Sequence, residues 1–197
     1  MPRYTSTLFT ISFLLLLSSS FISTKGSFEE EVPETIHTSS KCLEQSTRLH
    51  FYLHDIISGK NPTAVRIAGP PNSTFINFGN TMMIDDPLTE GPETTSKLVG
   101  KAQGLYALAA RDDFSLLVVM NFAFLEGKYN GSTISILGRN PIAHTVREMP
   151  IVGGSGVFRL ARGSALAHPV WVSGGDATVE YNVSVLHPAE TCDLNQI

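Results

Sequence analysis

The 197-residue sequence predicts an all-β domain, either an antiparallel barrel or a sandwich. Apolar and polar residues alternate with the two-residue period of strands in about seven or eight short segments. Sixteen glycines and eleven prolines favour strands and turns over a helical bundle. No segment carries the apolar repeat of a long helix. At this length we expect one domain, and the strand spacing leaves the choice between barrel and sandwich open.

The amino terminus predicts export. Residues 1–26 have the features of a secretory signal peptide, because Arg3 gives a positive start, Leu8–Leu17 is an apolar run, and small residues follow up to Gly26. The run is shorter than the ~20 residues that a membrane-spanning helix needs. An uncleaved anchor is the alternative. The cleaved form predicts a secreted, extracellular protein with no membrane partner.

Two cysteines and three glycosylation sequons agree with export. Cys42 and Cys192 lie near the two ends of the mature chain. In an oxidising compartment this even pair predicts one disulfide, with two free thiols as the alternative. The sequons begin at Asn72, Asn130 and Asn182. We therefore expect a secreted glycoprotein.

The predicted domain organisation is simple. The signal peptide is followed by a flexible polar leader at residues 27–47, a β-domain at residues 48–192 and a short tail at residues 193–197. Apolar residues make up 42% of the chain, which is enough for a core. The net charge is −4 and basic residues do not cluster, so we do not expect a nucleic-acid partner.

The strand pattern is clearest at the two ends of the domain. Arg48–Ile56 has Leu49, Phe51, Leu53 and Asp55 on one face, and Ala177–Leu186 alternates so that Asn182 falls on the polar face. A turn at Gly153–Gly156 separates two of the remaining strands. These are predicted at Thr63–Ala68, Leu98–Leu108, Ser115–Leu125, Ser132–Leu137, a segment ending near Val152, and Val157–Arg162.

Motifs for common catalytic chemistry are absent from the sequence. There is no glycine-rich phosphate loop, CxxC, HExxH or Gly-X-Ser-X-Gly element. His50 and His54 share a predicted strand face at a spacing that does not favour chelation of one metal ion. We expect no metal, no cofactor and no redox centre. Any oxidation that accompanies the function is then carried out by another protein.

Four side chains near apolar strands are candidates for chemistry. Asp55 ends an apolar strand face, where burial raises a carboxyl pKa and suits it to proton transfer; capping of the following turn is an equal alternative. Tyr106 either donates a phenolic hydrogen bond or fills the core. Arg147 either pairs with Glu148 at the rim or points at an acidic group inside. Arg162 shares a short predicted strand with an arginine on the opposite face, so at most one of them points inward.

Six segments, taken in order, cover nearly the whole mature domain: Leu49–Asp55, Gly59–Ala64, Asp85–Thr89, Val99–Tyr106, Asn121–Leu137 and Arg147–Gly163. In these segments the chain resembles the plant dirigent proteins. The resemblance implies an eight-stranded antiparallel β-barrel of the dirigent and allene-oxide-cyclase type, secreted to the apoplast and assembled as a trimer or dimer of identical chains. A barrel of this size can hold a small aromatic ligand in its mouth.

The resemblance also implies a function without an oxidative centre. Dirigent proteins capture phenoxy radicals that a laccase or peroxidase has made, and direct their stereoselective coupling, as in lignan biosynthesis. Their relatives, the pterocarpan synthases, instead dehydrate an isoflavan-4-ol through a quinone methide. We expect the first function, with the lyase as the alternative and a binding barrel without activity as a third possibility. The partner is then a small phenolic substrate or its radical.

Site residues follow from the resemblance motif by motif. Asp55 resembles the family's acid in its His-Asp element, Tyr106 the pocket tyrosine after Ala-Gln-Gly, and Arg147 the pocket arginine before Val-Gly-Gly. We place Arg162 and Asn140 at the substrate pocket. Lignan-forming members carry an aspartate where this chain has Asn140, and an amide can orient a hydroxyl but cannot transfer a proton. This departure points to the subgroup that includes the pterocarpan synthases.

Overall fold

Nine antiparallel strands form one continuous sheet in the computed structural model, which describes residues 43–72 and 76–189. Two 3-10 helices, Gly127–Tyr129 and Gly156–Phe158, lie in the connections. The strands, in chain order, are β1 (Glu44–Asp55), β2 (Ala64–Ala68), β3 (Thr81–Thr89), β4 (Leu98–Leu108), β5 (Ser115–Phe124), β6 (Thr133–Pro141), β7 (Arg147–Ser155), β8 (Arg162–Ser173) and β9 (Asp176–Pro188).

The sheet closes into a barrel. Its strand order is β1-β9-β8-β7-β6-β5-β4-β3-β2, and an additional pairing joins β1 to β3. β1 pairs with β9 along its whole length, from Glu44 opposite Pro188 to Asp55 opposite Ala177. Eight strands therefore make the closed ring, and β2 pairs with β3 alone. The predicted antiparallel β-barrel is confirmed.

The seam between β1 and β3 is narrow. Only two residue pairs, Tyr52 with Thr89 and Leu53 with Leu88, join these strands in the ladder. After β1 the chain leaves the wall, and β2 then takes the same edge of β3 farther along. β1 and β2 thus behave as one interrupted strand. The break falls in the turn-rich segment where the sequence predicts it.

Aromatic side chains fill the end of the barrel at which β1 begins, hereafter the closed end. The ring of Phe122 lies 4.9 Å from that of Phe51 and 5.1 Å from that of Tyr181, measured between centroids. Phe158 extends from the second 3-10 helix into the barrel, with its ring 5.7 Å from that of Phe124. All five side chains are buried. Aromatic packing therefore closes this end.

The first predicted boundary is corrected by the structure. Residues 44–47, which the sequence analysis assigns to the flexible leader, belong to β1, because the ladder with β9 extends to Glu44. Their polar character misled the prediction. A strand whose outer face meets solvent needs apolar residues only at alternate positions, and Glu44 itself is exposed and pairs with Arg162 on β8, which lies beyond β9 in the sheet.

A second correction concerns the segment Val157–Arg162, which is a 3-10 helix and a turn up to Ala161, with Arg162 as the first residue of β8. β7 continues through the predicted glycine turn as far as Ser155, and Gly156 then redirects the chain with a φ of +62°. This turn carries Phe158 into the barrel, where it is fully buried. The apolar residues of the segment therefore serve to close the barrel end rather than to form a strand.

Some predictions lie outside the described residues. These are the signal peptide at 1–26, most of the leader, the tail at 193–197, and both Cys42 and Cys192, so the disulfide stays a prediction. Asn72, Asn130 and Asn182 are described and exposed, and Asn182 lies on the outer face of β9 as predicted. Their glycosylation also stays a prediction. In the part of the chain that the structure describes, no helix is long and apolar enough to cross a membrane.

Candidate functional site

A cavity of about 240 Å³ lies at the open end of the barrel, where β1, β4, β6 and β8 finish. Apolar side chains from inward positions of the strands make up most of its wall. Several polar groups interrupt this apolar surface, which is the composition expected of a small-molecule site. They are Asp55, Asp86, Tyr106, Asn140, Arg147 and Tyr181.

Two carboxyl groups share one wall of this cavity. Asp55 follows Leu53 on the inward face at the end of β1, and Asp86 follows Ile84 on the inward face of β3. Because β1 and β3 are neighbours at the seam, the two carboxyl groups lie on the same side. Asp55 Oδ1 and Asp86 Oδ2 are buried and have no hydrogen-bond partner among the described residues. The described residues therefore leave one oxygen of each carboxyl group without a hydrogen bond, beside the cavity that both residues line.

The turn after β1 is capped by another acid, not by Asp55. Asp176 Oδ1 accepts hydrogen bonds from the backbone N–H groups of Ile57 and Ser58 at 2.8 and 3.0 Å. Its Oδ2 accepts from the Ser58 hydroxyl at 2.5 Å. Asp55 instead lines the cavity. Of the two interpretations that the sequence leaves open for Asp55, the structure favours the inward-facing carboxyl.

Burial changes the acidity of both carboxyl groups. It raises the pKa of Asp55 to about 6, with an opposing contribution from a hydrogen bond of the Tyr106 hydroxyl. It raises the pKa of Asp86 to about 8, and the negative charge of Asp55 adds to the effect. The Thr63 hydroxyl opposes that rise by donating to Asp86 at 2.6 Å. Near neutral pH the pair therefore holds about one proton and can both give and accept one.

Tyr106 on β4 stays protonated beside this pair. Burial raises its pKa far above the usual range, and the negative charge of Asp55 raises it further. A phenol in this state is a hydrogen-bond donor and not a base. Because Tyr106 lines the cavity together with Asp55, its hydroxyl is placed to donate there, which favours the hydrogen-bonding interpretation over simple filling of the core.

Arg147, at the start of β7, is buried and lacks a carboxylate partner among the described residues. Its Nη1 donates to Asn140 Oδ1 at 3.4 Å, and its Nε has no partner there. Burial lowers its pKa, an effect that Tyr181 partly opposes. The rim pair with Glu148 does not form, since Glu148 is exposed on the opposite strand face. A buried guanidinium of this kind favours a ligand oxygen that carries negative charge.

The cavity is thus polar at two opposed walls. Asp55, Asp86 and Tyr106 come from β1, β3 and β4, which are consecutive around the ring. Asn140 and Arg147 come from β6 and β7, on the other side of the ring. A flat aromatic ligand between these walls would meet a proton donor and acceptor at one side and a positive charge at the other.

One predicted pocket residue is misplaced. Arg162 does not line the cavity: it lies at the start of β8, towards the closed end, with its guanidinium exposed and paired with Glu44 through both Nη atoms. The prediction that it belongs to the substrate pocket is wrong. It assumed that a strand runs through Val157–Arg162, and the 3-10 turn there changes the direction in which the side chain points.

Two cavity residues, Asp86 and Tyr181, are absent from the sequence-based candidates. Asp86 follows Met82 and Ile84 and precedes Leu88 at two-residue spacing, so alternation would have placed it inward. Pro87 obscures that pattern, because proline argues against a strand interior. Tyr181 lies on the inward face of β9, where alternation alone does not distinguish a cavity residue from a core residue. In addition, no group of three or more potential ligands among the described residues is arranged to hold a metal ion.

Comparisons with known proteins agree with this geometry. The family model described as Dirigent-like protein matches residues 46–186. The chain belongs to the dirigent family. Dirigent protein 1 from Arabidopsis thaliana is 53% identical over 146 residues, which cover 73% of this chain and 80% of the relative.

Pterocarpan synthases are similarly close dirigent relatives. Pterocarpan synthase 1 from Glycine max is 52% identical over 149 residues, covering 73% of this chain and 80% of the relative. The solved structure of the pterocarpan synthase dirigent protein GePTS1 superimposes with a TM-score of 0.71 at 49% identity, covering 73% of this chain and 86% of that one. The dirigent barrel is therefore shown by sequence and by structure together.

Proposed function

We propose that this dirigent-family chain binds a phenolic quinone methide, or the phenoxy radicals that give rise to one, and controls the stereochemistry of bond formation without an oxidative centre of its own. The observation that carries the proposal is the opposition of charges in the cavity. A carboxyl pair that holds about one proton near neutral pH faces a buried arginine with no carboxylate partner. Ring closure on a quinone methide is accelerated by both kinds of group, since one moves the proton and the other stabilises the developing negative charge.

In the coupling reaction an external laccase or peroxidase removes one electron and one proton from each phenol. Two radicals held in the cavity then form a carbon–carbon bond and give a bis-quinone methide. A side-chain hydroxyl adds to each methide carbon, loses its proton to a carboxylate such as Asp55, and the quinone oxygen becomes a phenol again by taking up a proton. Arg147 stabilises the negative charge that develops on that oxygen. Positioning of the two radicals sets the stereochemistry.

A second candidate, a lyase of the pterocarpan synthase type, is favoured by Asn140 and by the identity of about 50% to pterocarpan synthases. Asn140 accepts from Arg147 and cannot transfer a proton, so proton chemistry is confined to the opposite wall. There, Asp86 in its protonated state donates to the leaving hydroxyl of an isoflavan-4-ol. The carbon–oxygen bond breaks, water leaves, and a phenolic proton passes to Asp55 to give the quinone methide. A second phenolic hydroxyl then adds to that carbon and gives its proton to ionised Asp86, while the quinone oxygen takes back the proton from Asp55 and becomes a phenol again.

Two assays on the purified protein separate these candidates. One contains an isoflavan-4-ol without oxidant, and the other contains coniferyl alcohol with a laccase; products are resolved on a chiral column. Ring-closed product without oxidant supports the lyase. Enantiomeric excess that appears only in the laccase reaction supports stereochemical control of coupling. Racemic coupling together with an unreacted isoflavan-4-ol contradicts both.

Assembly and location complete the proposal. We expect secretion to the apoplast, where laccases and peroxidases supply the radicals, and we expect a homo-oligomer, trimer or dimer. An apolar row on the outer face of the barrel supports an oligomer, because four strands place apolar side chains opposite one another there: Met83, Leu105, Val119 and Leu137. Sedimentation of the secreted protein measures the number of chains.

A further inference from the structure

The Asp86 carboxyl group forms a hydrogen bond with a residue that does not line the cavity, Thr63. Thr63 lies in the break between β1 and β2, and its Oγ1 is 2.6 Å from Asp86 Oδ1 and 3.3 Å from the carbonyl oxygen of His54. The backbone N–H of Ile56 donates to the same Oγ1 at 3.1 Å. A hydroxyl has one proton to donate. Because the contact with the carboxyl oxygen is much the shorter of the two, Thr63 donates to Asp86.

The hydroxyl of Thr63 cannot easily follow Asp86 if the carboxyl group turns. The Thr63 backbone N–H donates to the Ile56 carbonyl at 2.8 Å, and the Asp85 N–H donates to the Thr63 carbonyl at 2.9 Å. These bonds tie the break between β1 and β2 to the strand that carries Asp86. The β-branched side chain of threonine also has few rotamers. Its hydroxyl is therefore a fixed donor at one oxygen of the carboxyl group.

A fixed donor at Oδ1 decides which oxygen of Asp86 meets a ligand. Oδ1 accepts from Thr63 whether the carboxyl group is ionised or neutral, because the carbonyl oxygen of a carboxylic acid still accepts. Oδ2 is buried and has no hydrogen-bond partner among the described residues. Asp86 itself lines the cavity. A proton that moves between Asp86 and a ligand therefore moves at Oδ2.

We propose that Thr63 is a positioning residue, which orients the Asp86 carboxyl group so that Oδ2 exchanges a proton with the bound phenolic substrate. The inference rests on the function proposed above and adds to it a defined proton-transfer atom. Titratable groups from four other strands share the cavity with Asp86: Asp55 on β1, Tyr106 on β4, Arg147 on β7 and Tyr181 on β9. Asp85, its neighbour on β3, points outward and is held by Lys101, although its charge contributes to the raised pKa of Asp86.

The direct test measures the protonation of Asp86 in the full chain. Carboxyl resonances of ¹³C-labelled aspartate are titrated in wild type and in Thr63→Val, and Asp86→Asn identifies the Asp86 signal. Loss of a donor to the carboxylate raises the titration midpoint by about one pH unit. Thr63→Ser keeps the hydroxyl and restores the wild-type midpoint. The matched control is Thr47→Val near the closed end, where the lost hydroxyl contact, 2.9 Å, is with His187.

Activity provides the second readout, with the two substrates of the preceding assays. If Oδ2 is the atom that exchanges the proton, the alkaline limb of the kcat/KM profile moves upward with the midpoint in Thr63→Val and returns in Thr63→Ser. A structural role alone would lower activity equally at every pH. An active wild type whose profile and midpoint are both unchanged by Thr63→Val overturns the role of Thr63. A wild type inactive on both substrates overturns the proposed function itself, and proton exchange at Oδ2 with it.

A measurement on wild type alone keeps the proposal testable if Thr63→Val does not fold. Resonances of labelled Thr63 must titrate with the same midpoint as the Asp86 carboxyl, because the hydroxyl donates to that group. Thr63 resonances that stay constant through the Asp86 transition overturn the proposal. A shared midpoint, unaffected by Thr47→Val, supports it.

Discussion

The two ends of the barrel are built from the same strands, and they differ in what the inward positions carry. At the closed end Phe122, Phe124 and Phe158 are buried in contact with other aromatic rings. At the open end the corresponding positions of β1 and β3 carry Asp55 and Asp86 beside a cavity of about 240 Å³. The alternation of a strand decides which residues face inward at both ends. Their size and polarity decide whether the space is filled.

This difference assigns stability and chemistry to separate parts of one fold. Buried aromatic rings contribute packing and hydrophobic free energy. Buried carboxyl groups that each have one oxygen without a hydrogen-bond partner cost free energy, and they persist where a site uses their altered acidity. A substitution at the open end is therefore expected to change turnover more than folding. The reverse is expected at the closed end.

Loss of the Asp55 carboxyl group gives the largest expected effect. Asp55→Asn removes a proton acceptor and keeps the shape of the side chain. Turnover in the lyase assay is expected to fall by about 100-fold or more, and in the coupling assay the enantiomeric excess is expected to be lost. The melting temperature stays close to that of wild type. The control is Asp113→Asn, an exposed aspartate paired with Arg139 outside the cavity. Normal turnover by purified Asp55→Asn would remove this residue from the mechanism.

Truncation at the closed end tests the other half of the comparison. Phe122→Ala leaves a void against Phe51 and Tyr181, and lowers the free energy of unfolding by about 3–5 kcal/mol. Urea denaturation measures the change, and Phe114→Ala, an exposed phenylalanine, is the control. The folded fraction of Phe122→Ala is expected to keep its stereochemical outcome. A changed product at full folding would show that the two ends are coupled.

Ionisation of Asp86 at the open end is expected to make the stability of the protein depend on pH. The pKa of Asp86 is raised in the folded state, so the folded protein holds that proton more tightly than the unfolded chain does. Binding of this proton therefore stabilises the folded protein. The stabilisation is fully present below about pH 4, and it is lost as the pH rises through about 8 and Asp86 ionises. In Asp86→Asn the side chain does not ionise, so this pH-dependent loss of stability does not occur. Above pH 8 the variant is expected to be more stable than wild type by on the order of 1–3 kcal/mol.

Denaturation curves of wild type and Asp86→Asn, recorded from acid to alkaline pH, measure that difference. The two proteins are expected to converge at low pH and to diverge as the pH rises. Parallel curves would mean that Asp86 titrates normally in the folded protein. Asp113→Asn again serves as the control, since its carboxyl group has a lowered pKa in the fold.

The smallest effect is expected at Arg162, which lies at neither polar wall of the cavity. Arg162→Ala breaks an exposed ion pair with Glu44, and such pairs contribute little because water screens them. Turnover and product stereochemistry are expected to equal those of wild type in the same assays. A clear loss of stereocontrol would return Arg162 to the pocket and contradict its position in the structure.

The sequence predicted those parts of the site that depend on alternation alone. Asp55 follows Phe51 and Leu53 at two-residue spacing, so its inward direction was readable and the structure agrees. Arg162 was misplaced because its direction depends on where β7 ends, and Gly156 sets that point through a positive φ. Asp86 was missed because Pro87 lies in the middle of β3, against the usual preference of strands.

Other features depend on distant parts of the chain and leave no local signal. The opposition of Arg147 to Asp86 requires the closure of the ring, which brings β3 to β1. The hydrogen bond from Thr63 to Asp86 requires that β1 break and β2 resume on the same strand edge. Motifs shared with the dirigent family predicted the barrel. The alternation and spacing of the strands alone left the choice between a barrel and a sandwich open. Long-range pairing decided between them.

The narrow seam also affects the order of events during synthesis of the chain. Every strand from β3 to β9 pairs with its neighbour in sequence, so these hairpins can form as they emerge. β1 is made first, and yet its long partner β9 is made last. At about 5–20 residues per second, β1 waits on the order of ten seconds for that partner. The barrel therefore closes only after β9 has been made, and until then the edge of β1 that will pair with β9 stays open.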